Sequence, residues 1–322
     1  MSRPSSVSVV IPSLCGDARL IALVDVLARG DASEREVEVL IADNGLRPES
    51  RMRLREVGGR VLPMGRNCGF GAAVNRAATL AEGTLLAVLN DDIIVARGFL
   101  KALLGPVDRG EPASAGVLLA EESAEVIETA GVVIDRFLGG YDHLQGESVA
   151  ILARRPPPPL GPCGGAGAWR RDTFLELGGF DERFFAYCED IDLAIRMSLA
   201  GLRCALAVEA RARHAGSSTL GYHSLAKAQR VGESRGALMA KYGLLRRPAS
   251  AAWVLGSELV ASVELARRHR SLAPARARIA GYRRARRLDP TVSAPPGSGA
   301  AAVTLLDGLS RRYRRSQRPA AT

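Results

Sequence analysis

Three apolar runs of strand length, separated by helical patterns and turning polar at their ends, constrain this chain more than any other feature. They are "VSVVIP" (7–12), "VEVLIADNG" (37–45) and "TLLAVLNDD" (84–92). Runs this apolar and rich in β-branched residues suit strands buried on both faces. Helical patterns over roughly 17–29, 49–56 and 71–81, with a short strand near 60–63, complete the alternation. The order predicts an α/β fold, a mainly parallel sheet covered by helices on both sides. In such sheets ligands bind beyond the carboxyl ends of the strands. Asp43, Asn44, Asn90, Asp91 and Asp92 all fall at those ends, so one site assembled from several segments is expected.

Beyond residue 110 the pattern weakens to strand-like "AGVLLA" and "AGVVID", then the proline linker "RRPPPPL", which cannot lie inside a helix. "GPCGGAGAWRR" (161–171) reads as too glycine-rich for a regular strand and as a place of close backbone approach. Helices are expected at about 172–177 and 189–200, with strand-like "RCALAVEA" leading into "RARHAGSST". Residues 222–243 and 249–270 read as amphipathic helices, "LDPTVSAPPGSGA" as a flexible linker, and a short basic helix as the close of the chain.

Charge divides the chain. Residues 226–322 hold 20 Lys or Arg against 5 Asp or Glu, a net of +15, and the whole chain carries +10, so residues 1–225 carry −5. The five cysteines form no CxxC pair, and no signal-like segment opens the sequence. A reducing cytoplasm and core-filling thiols are therefore expected, rather than disulfides or a zinc cluster. The most apolar stretch, "ASAAWVLGSELVASVELA", is broken by Glu258 and Glu264, so no membrane span is expected.

Four segments offer chemistry. "LNDDI" (89–93) places Asn90, Asp91 and Asp92 at a strand end, where they hold a hard divalent cation or merely cap a turn. "DNG" (43–45) is a turn by composition, and its place also allows Asp43 to meet a nucleoside. "NCGFGAAVNRA" (67–77) lacks the spacing of a phosphate loop, yet suits a helix N-terminus facing an anion. In "GGFDERFFAYCEDIDLAIR" (178–196), Asp192 and Arg196 can pair one helical turn apart, leaving Glu189 and Asp190 free in the first turn. His214 lies beyond the next strand and can return to the same rim.

Taken in order, "VSVVIP", "IADNG", "NCGFGAAVNRA", "VLNDDI", "GAGAWRRDTFLELGGFDERFFAYCEDIDLAIRMSLAGLRC" and "HAGSS" resemble glycosyltransferase family 2, over about residues 5–220. Within it, the rhamnosyltransferase-like members that build bacterial cell-surface glycans are the most similar. The resemblance implies a Rossmann-like A-type glycosyltransferase fold over residues 1–222, with a nucleotide-sugar half (1–110) and an acceptor half (111–222). A basic helical extension (223–288) and a flexible basic tail (289–322) would follow.

It further implies that Asp43 contacts the nucleoside beside Pro12, with Asn44, Asn67, Gly69, Asn90 and Asp91 around the nucleotide sugar. Asp92 and His214 would hold Mg²⁺ or Mn²⁺. The neutral Asn90 stands where the family has an acid, which leaves the order of Asp91 and Asp92 open. Asp190 would be the catalytic base, with Glu189 as its neighbouring alternative. Gly165 and Ala166 would approach the acceptor, and Trp169 would stack on a sugar or lie in the core. The implied activity is inverting transfer from a nucleoside diphosphate sugar, dTDP-rhamnose or a UDP-sugar, to a glycan or lipid-linked saccharide.

The basic tail allows peripheral contact with an anionic membrane, through Trp253, Leu255, Leu259 and Val260, or packing of its helices on the body. Two rival classes fit less well. A sugar-phosphate nucleotidyltransferase would want lysine in its N-terminal loop, and "IPSLCGDARL" has none. A nucleic-acid binder could use the basic tail, but the body is acidic and the tail is poor in aromatics, so no nucleic acid partner is expected.

Overall fold

The structure is a computed structural model that describes residues 6–29, 35–121, 123–214, 224–246 and 248–287. The expected linker at 288–300, the closing basic helix and most of "HAGSS" lie outside the described residues.

The first half follows the sequence pattern. Strand β1 (Val7–Ser13) leads to helix α1 (Ala18–Ala28), β2 (Val37–Asp43), α2 (Pro48–Glu56), β3 (Gly59–Pro63), α3 (Phe70–Leu80) and β4 (Leu85–Leu89). Every residue of β1 and β4 is buried, as runs without alternation require. Asp17 caps α1 by accepting from the backbone N–H groups of Arg19 and Leu20. The second half adds β5 (Ile93–Val95), α4 (Phe99–Asp108), β6 (Ala113–Ala120), β7 (Ser123–Thr129), β8 (Val132–Ile134) and β9 (Gly140–Asp142). Then come β10 (Ala166–Arg170), α5 (Arg171–Glu176), α6 (Glu189–Leu199) and β11 (Cys204–His214).

The main sheet has the order β3-β2-β1-β4-β10-β6-β11-β5, with β7 paired to β6. The strands β3, β2, β1, β4, β6 and β11 run one way, and β10, β5 and β7 run against them. The expected α/β fold with a mixed, mainly parallel sheet is therefore present. Strands β8 and β9 form a separate hairpin.

One expectation fails at the glycine-rich segment. Residues 166–170 are a strand, bonded antiparallel to β4 on one side and to β6 on the other. Glycine weakens an isolated strand, but one paired along both edges has its backbone groups satisfied by neighbours. Gly167 also leaves room for the Trp169 ring, which folds back over it. Trp169 is 1% exposed and meets Phe174 and Phe180 edge-on, at centroid distances of 5.5 and 6.3 Å. It fills the core, and its ring is out of reach of a sugar. The five cysteines are free thiols, three of them buried.

Three helices follow: α7 (Leu225–Lys241), α8 (Pro248–His269) and α9 (Ala273–Arg286). Helices α7 and α9 cross closely because Gly236 and Gly281 admit the opposing backbones at Arg278 and Glu233. The buried Lys241 at the end of α7 reaches back into the α/β unit. Its Nζ lies 2.6 Å from Asp181 Oδ2 and 2.5 Å from Asp192 Oδ1. Asp192 also accepts from Arg196 Nε (2.8 Å), the expected one-turn pair, and from the Tyr242 hydroxyl (2.9 Å). Asp181 is held further by Arg183. Burial acts to raise the Asp181 pKa, but the hydrogen bonds from Arg183 and Lys241 outweigh it and hold the carboxyl well below its usual range.

Removing Lys241 leaves Asp181 with Arg183 and Asp192 with Arg196, and takes away the buried cation that the two acids share. Lys241→Ala is expected to lower the unfolding free energy by about 3 kcal/mol. A denaturant titration reads it; a loss below about 1 kcal/mol would mean the ion pairs act as weakly as exposed ones.

Candidate active site

Four strand ends and one helix start meet at a single edge of the sheet. Ser13 closes β1, Asp43 closes β2, Asn90 to Asp92 follow β4, His214 closes β11, and Glu189 and Asp190 open α6. The edge is the carboxyl end of the parallel strands, where the sequence pattern places it.

Two hydrogen bonds fix the two acid clusters relative to each other. The Asn90 N–H donates to the Gly165 carbonyl (3.1 Å), and the Gly164 N–H donates to Asp190 Oδ2 (3.3 Å). The residues entering β10 thus bridge the turn after β4 to the start of α6. Gly165 and Ala166 are buried, so they act here as framework.

The turn after β4 is built around His214. Its Nε2 lies 3.0 Å from Asp92 Oδ1 and 3.2 Å from Asn90 Nδ2, while its Nδ1 lies 2.9 Å from Glu128 Oε2. Burial acts to lower the His214 pKa, but Asp92 and Glu128 outweigh it and raise it to about 10. The ring is then a cation between two carboxylates. Asp91 points the other way and accepts from the Ser13 hydroxyl at 2.6 Å. Burial, with a smaller contribution from neighbouring Asp92, pushes its carboxyl up to about 6. Glu128 and Ser13 escape sequence reasoning: each is one polar residue on a strand, without a motif.

Asp43 is buried and fully engaged. Oδ1 accepts from the backbone N–H groups of Leu46 (2.7 Å) and Gly45 (3.0 Å), and Oδ2 from Arg51 Nε (2.5 Å). Burial acts to raise its pKa, but these bonds, Arg51 foremost, hold it below the usual carboxylate value. A cleft lined by Asp43, Asn44, Arg51, Arg55, Pro63 and Arg66 opens beside it. Asn44 donates to the Gly69 carbonyl (3.1 Å) and accepts from the Cys68 N–H (3.2 Å), so its side chain braces the loop before α3. Asn67 accepts from the Gly69 N–H at 3.0 Å. Gly69 has φ +93 and lies against the Phe185 backbone, where a side chain would collide. Pro12 sits buried within β1.

The start of α6 is strained. Tyr187 and Cys188, neither of them glycine, hold φ of 68° and 67° immediately before Glu189 and Asp190. Glu189 is 6% exposed, and its Oε2 has no hydrogen-bond partner among the described residues. Burial, then the Asp190 charge, pushes its pKa well above the ordinary value. Asp190 retains exposure, and its Oδ1 accepts from its neighbour Ile191 N–H at 2.8 Å. Burial, opposed by the Ile191 and Gly164 N–H groups, brings it up to about 6, and Asp142 of the hairpin adds to the rise. A carboxylate that ionises near neutrality and reaches solvent is suited to accept a proton. Of the two acids, Asp190 has the geometry of a base.

Among the described residues no group of three or more His, Cys, Asp or Glu converges as a metal cage. Asp92 offers carboxylate oxygen, and the facing His214 would offer its Nε2 only once a bound cation had displaced the proton held there, because neutral imidazole alone ligates a metal. A Mg²⁺-type ion commonly takes one or two carboxylates and completes its shell with substrate phosphates and water. The residues present fit that mode.

Residues 8–133 match the family model described as "Glycosyl transferase family 2". An N-acetylglucosaminyl-diphospho-decaprenol L-rhamnosyltransferase of Mycobacterium tuberculosis is 34% identical over 196 residues, 53% of this chain and 64% of that protein. The chain thus spans under two thirds of that relative's length. The O-antigen biosynthesis protein RfbC of Myxococcus xanthus is 30% identical over 223 residues, 65% of this chain and 17% of that protein. Among solved structures, the mannosyltransferase PcManGT from Pyrobaculum calidifontis, in complex with GDP-Man and Mn²⁺, superposes with a TM-score of 0.52. It is 19% identical, covering 87% of this chain and 76% of that chain, and the likeness is one of fold.

Glu128→Gln removes one of the two charges that hold the His214 proton. The His214 pKa is expected to fall by about one unit or more, read from the imidazole resonances in an NMR titration. An unmoved pKa would mean that Asp92 alone sets it.

Proposed function

We propose that this chain, which carries a glycosyltransferase family 2 domain over residues 8–133, is an inverting glycosyltransferase. Its donor is a nucleoside diphosphate sugar, dTDP-rhamnose first and a UDP-sugar second. Its acceptor is a hydroxyl of a lipid-linked saccharide destined for a cell-surface glycan. One observation carries the reading: the cleft beside Asp43, the acids Asp91 and Asp92, and the carboxylate of Asp190 lie along one sheet edge. The similarity to rhamnosyltransferases supports the choice of sugar.

In the reaction, Asp190 takes the proton of the acceptor hydroxyl as that oxygen attacks the anomeric carbon. The bond from that carbon to the diphosphate oxygen breaks, and the electron pair leaves with the nucleoside diphosphate. A single displacement inverts the configuration without a covalent enzyme intermediate. Asp92 and His214 are the residues that would hold Mg²⁺ or Mn²⁺, whose charge neutralises the departing diphosphate. Asp43 and the arginines of its cleft receive the nucleoside. Glu189 is buried behind Asp190, so the proton transfer is assigned to Asp190, which reaches solvent.

The decisive experiment is a melting series with nucleoside diphosphates and their sugars, with and without Mn²⁺ or Mg²⁺. Binding to the folded state alone raises the melting temperature. A metal-dependent rise with dTDP or UDP ligands is expected, smaller in Asp92→Ala; no rise with any nucleotide would overturn the reading.

Asp190→Asn is expected to abolish transfer, a loss of about a thousandfold or more, while that nucleotide-induced rise survives. In the unmodified chain the rate should fall about tenfold per pH unit below about 6, as Asp190 takes up its proton. Near-normal turnover of Asp190→Asn would remove Asp190 from the role of base.

A further inference from the structure

Helix α8 is arranged the wrong way round for a helix in water. Between Ala252 and Val263 its only charged side chain is Glu258, and that side chain points inward. Glu258 pairs with Arg235 at 2.8 Å and with Arg278 at 3.1 Å, joining α8 to α7 and α9. Val254, one turn earlier, is fully buried on the same side. The outward side of these turns holds Trp253, Leu255, Leu259, Val260 and Val263, which are 42–65% exposed. At 3.6 residues per turn, Leu255, Leu259 and Val263 follow one another along a single face. A surface helix ordinarily shows the reverse pattern, charge outward and leucine inward.

The apolar face has a basic border. Arg267 and Arg268 end α8, Arg270 follows it, and Arg276, Arg283, Arg286 and Arg287 lie exposed on or just after α9. The exposed Leu272 and Ile279 extend the apolar side into α9. Among the described residues no helix is long and apolar enough to cross a membrane.

We propose that this face is a docking surface for an anionic lipid bilayer, with α8 lying in the plane of the headgroups. Leucine, valine and the Trp253 ring enter the headgroup boundary, and the bordering arginines pair with lipid phosphates. Charge selects this occupant over a second copy of the chain, because a symmetric contact would bring two arginine borders together without neutralising them. An anionic surface neutralises each border as it docks.

The position also suits a membrane-bound acceptor. Trp253 of α8 stacks on Phe137 at 5.8 Å, and Arg235 of α7, which Glu258 of α8 holds, donates to the Leu138 and Phe137 carbonyls, so both helices meet the loop of the β8–β9 hairpin. The same hairpin carries Asp142, whose charge bears on Asp190. The docking face and the proposed base thus flank one hairpin. The docking itself needs neither donor nor acceptor, so it is tested apart from the transferase reading.

The purified full chain is centrifuged with vesicles of phosphatidylcholine alone, or with about one third phosphatidylglycerol. Binding is expected to the anionic vesicles only, and to be released by about 0.5 M salt, which screens the arginines. Leu259→Glu with Val263→Glu, both exposed positions, should reduce the bound fraction by about tenfold or more while leaving the melting temperature unchanged. Should that pair unfold the chain, Leu259→Ser with Val263→Ser provides the same comparison. Equal binding by a folded variant, or no binding to anionic vesicles, overturns the proposal. So does a dimer, seen by light scattering, that the same substitutions dissociate, because it assigns the face to a second copy. Loss of nucleotide binding with vesicle binding intact would count against the transferase reading and leave this one standing.

Discussion

Much of this structure depends on one short strand that runs against its neighbours. β10 bonds to β4 and β6 along both edges, and without it the parallel half of the sheet would stop at β4. The antiparallel direction matters as much as the pairing. It sends the chain into the strand from the carboxyl edge, so Gly164 and Gly165 arrive beside Asn90 and Asp190. A parallel strand would have delivered Arg170 there instead. One backbone bond, from Asn90 to Gly165, and one from the Gly164 N–H to the Asp190 carboxylate then hold the acid cluster of one half against the start of α6.

The parallel half was legible because each strand there reports itself. "VSVVIP" and "TLLAVLNDD" are apolar on both faces, and their polar ends mark the site directly. The pairing of Asp192 with Arg196 was also legible, since it needs only helical spacing. What could not be read was anything set by partners far along the chain. The glycines of 164–167 argue locally against a strand, and only β4 and β6, which flank them in space, override that preference. Trp169 could have served a ligand or the core, and Phe174 and Phe180 decide the matter. Nothing near Glu128 in sequence signals His214, which lies in a strand 86 residues on. Arg51 and Asp43 sit eight residues apart, across a loop whose shape no spacing rule gives.

The site shows a consistent electrostatic logic. Where a negative charge must persist, a fixed cation or backbone donors lie beside it, as at Asp43 and Asp181. At Asp190 burial raises the carboxyl toward neutrality, which is what its proposed role as base asks for. His214 supplies positive charge beside Asp92, at the spot where a substrate diphosphate and its cation would sit. The left-handed Tyr187 and Cys188 turn the chain sharply before α6, so that the helix starts with Asp190 reaching the opening and Glu189 turned inward.

The buried amine of Lys241 carries a consequence for how such a chain can change over generations. It belongs to the helices that follow the α/β unit, yet it completes a charge balance inside that unit with Asp181 and Asp192. The two parts are consequently not interchangeable modules. A recombination joining this body to foreign C-terminal helices would leave Asp181 and Asp192 with Arg183 and Arg196 but without the amine they share, unless the incoming segment brought its own at the same depth. Diversification is thereby channelled into loops and surface faces, while the seam between body and extension is inherited as one piece.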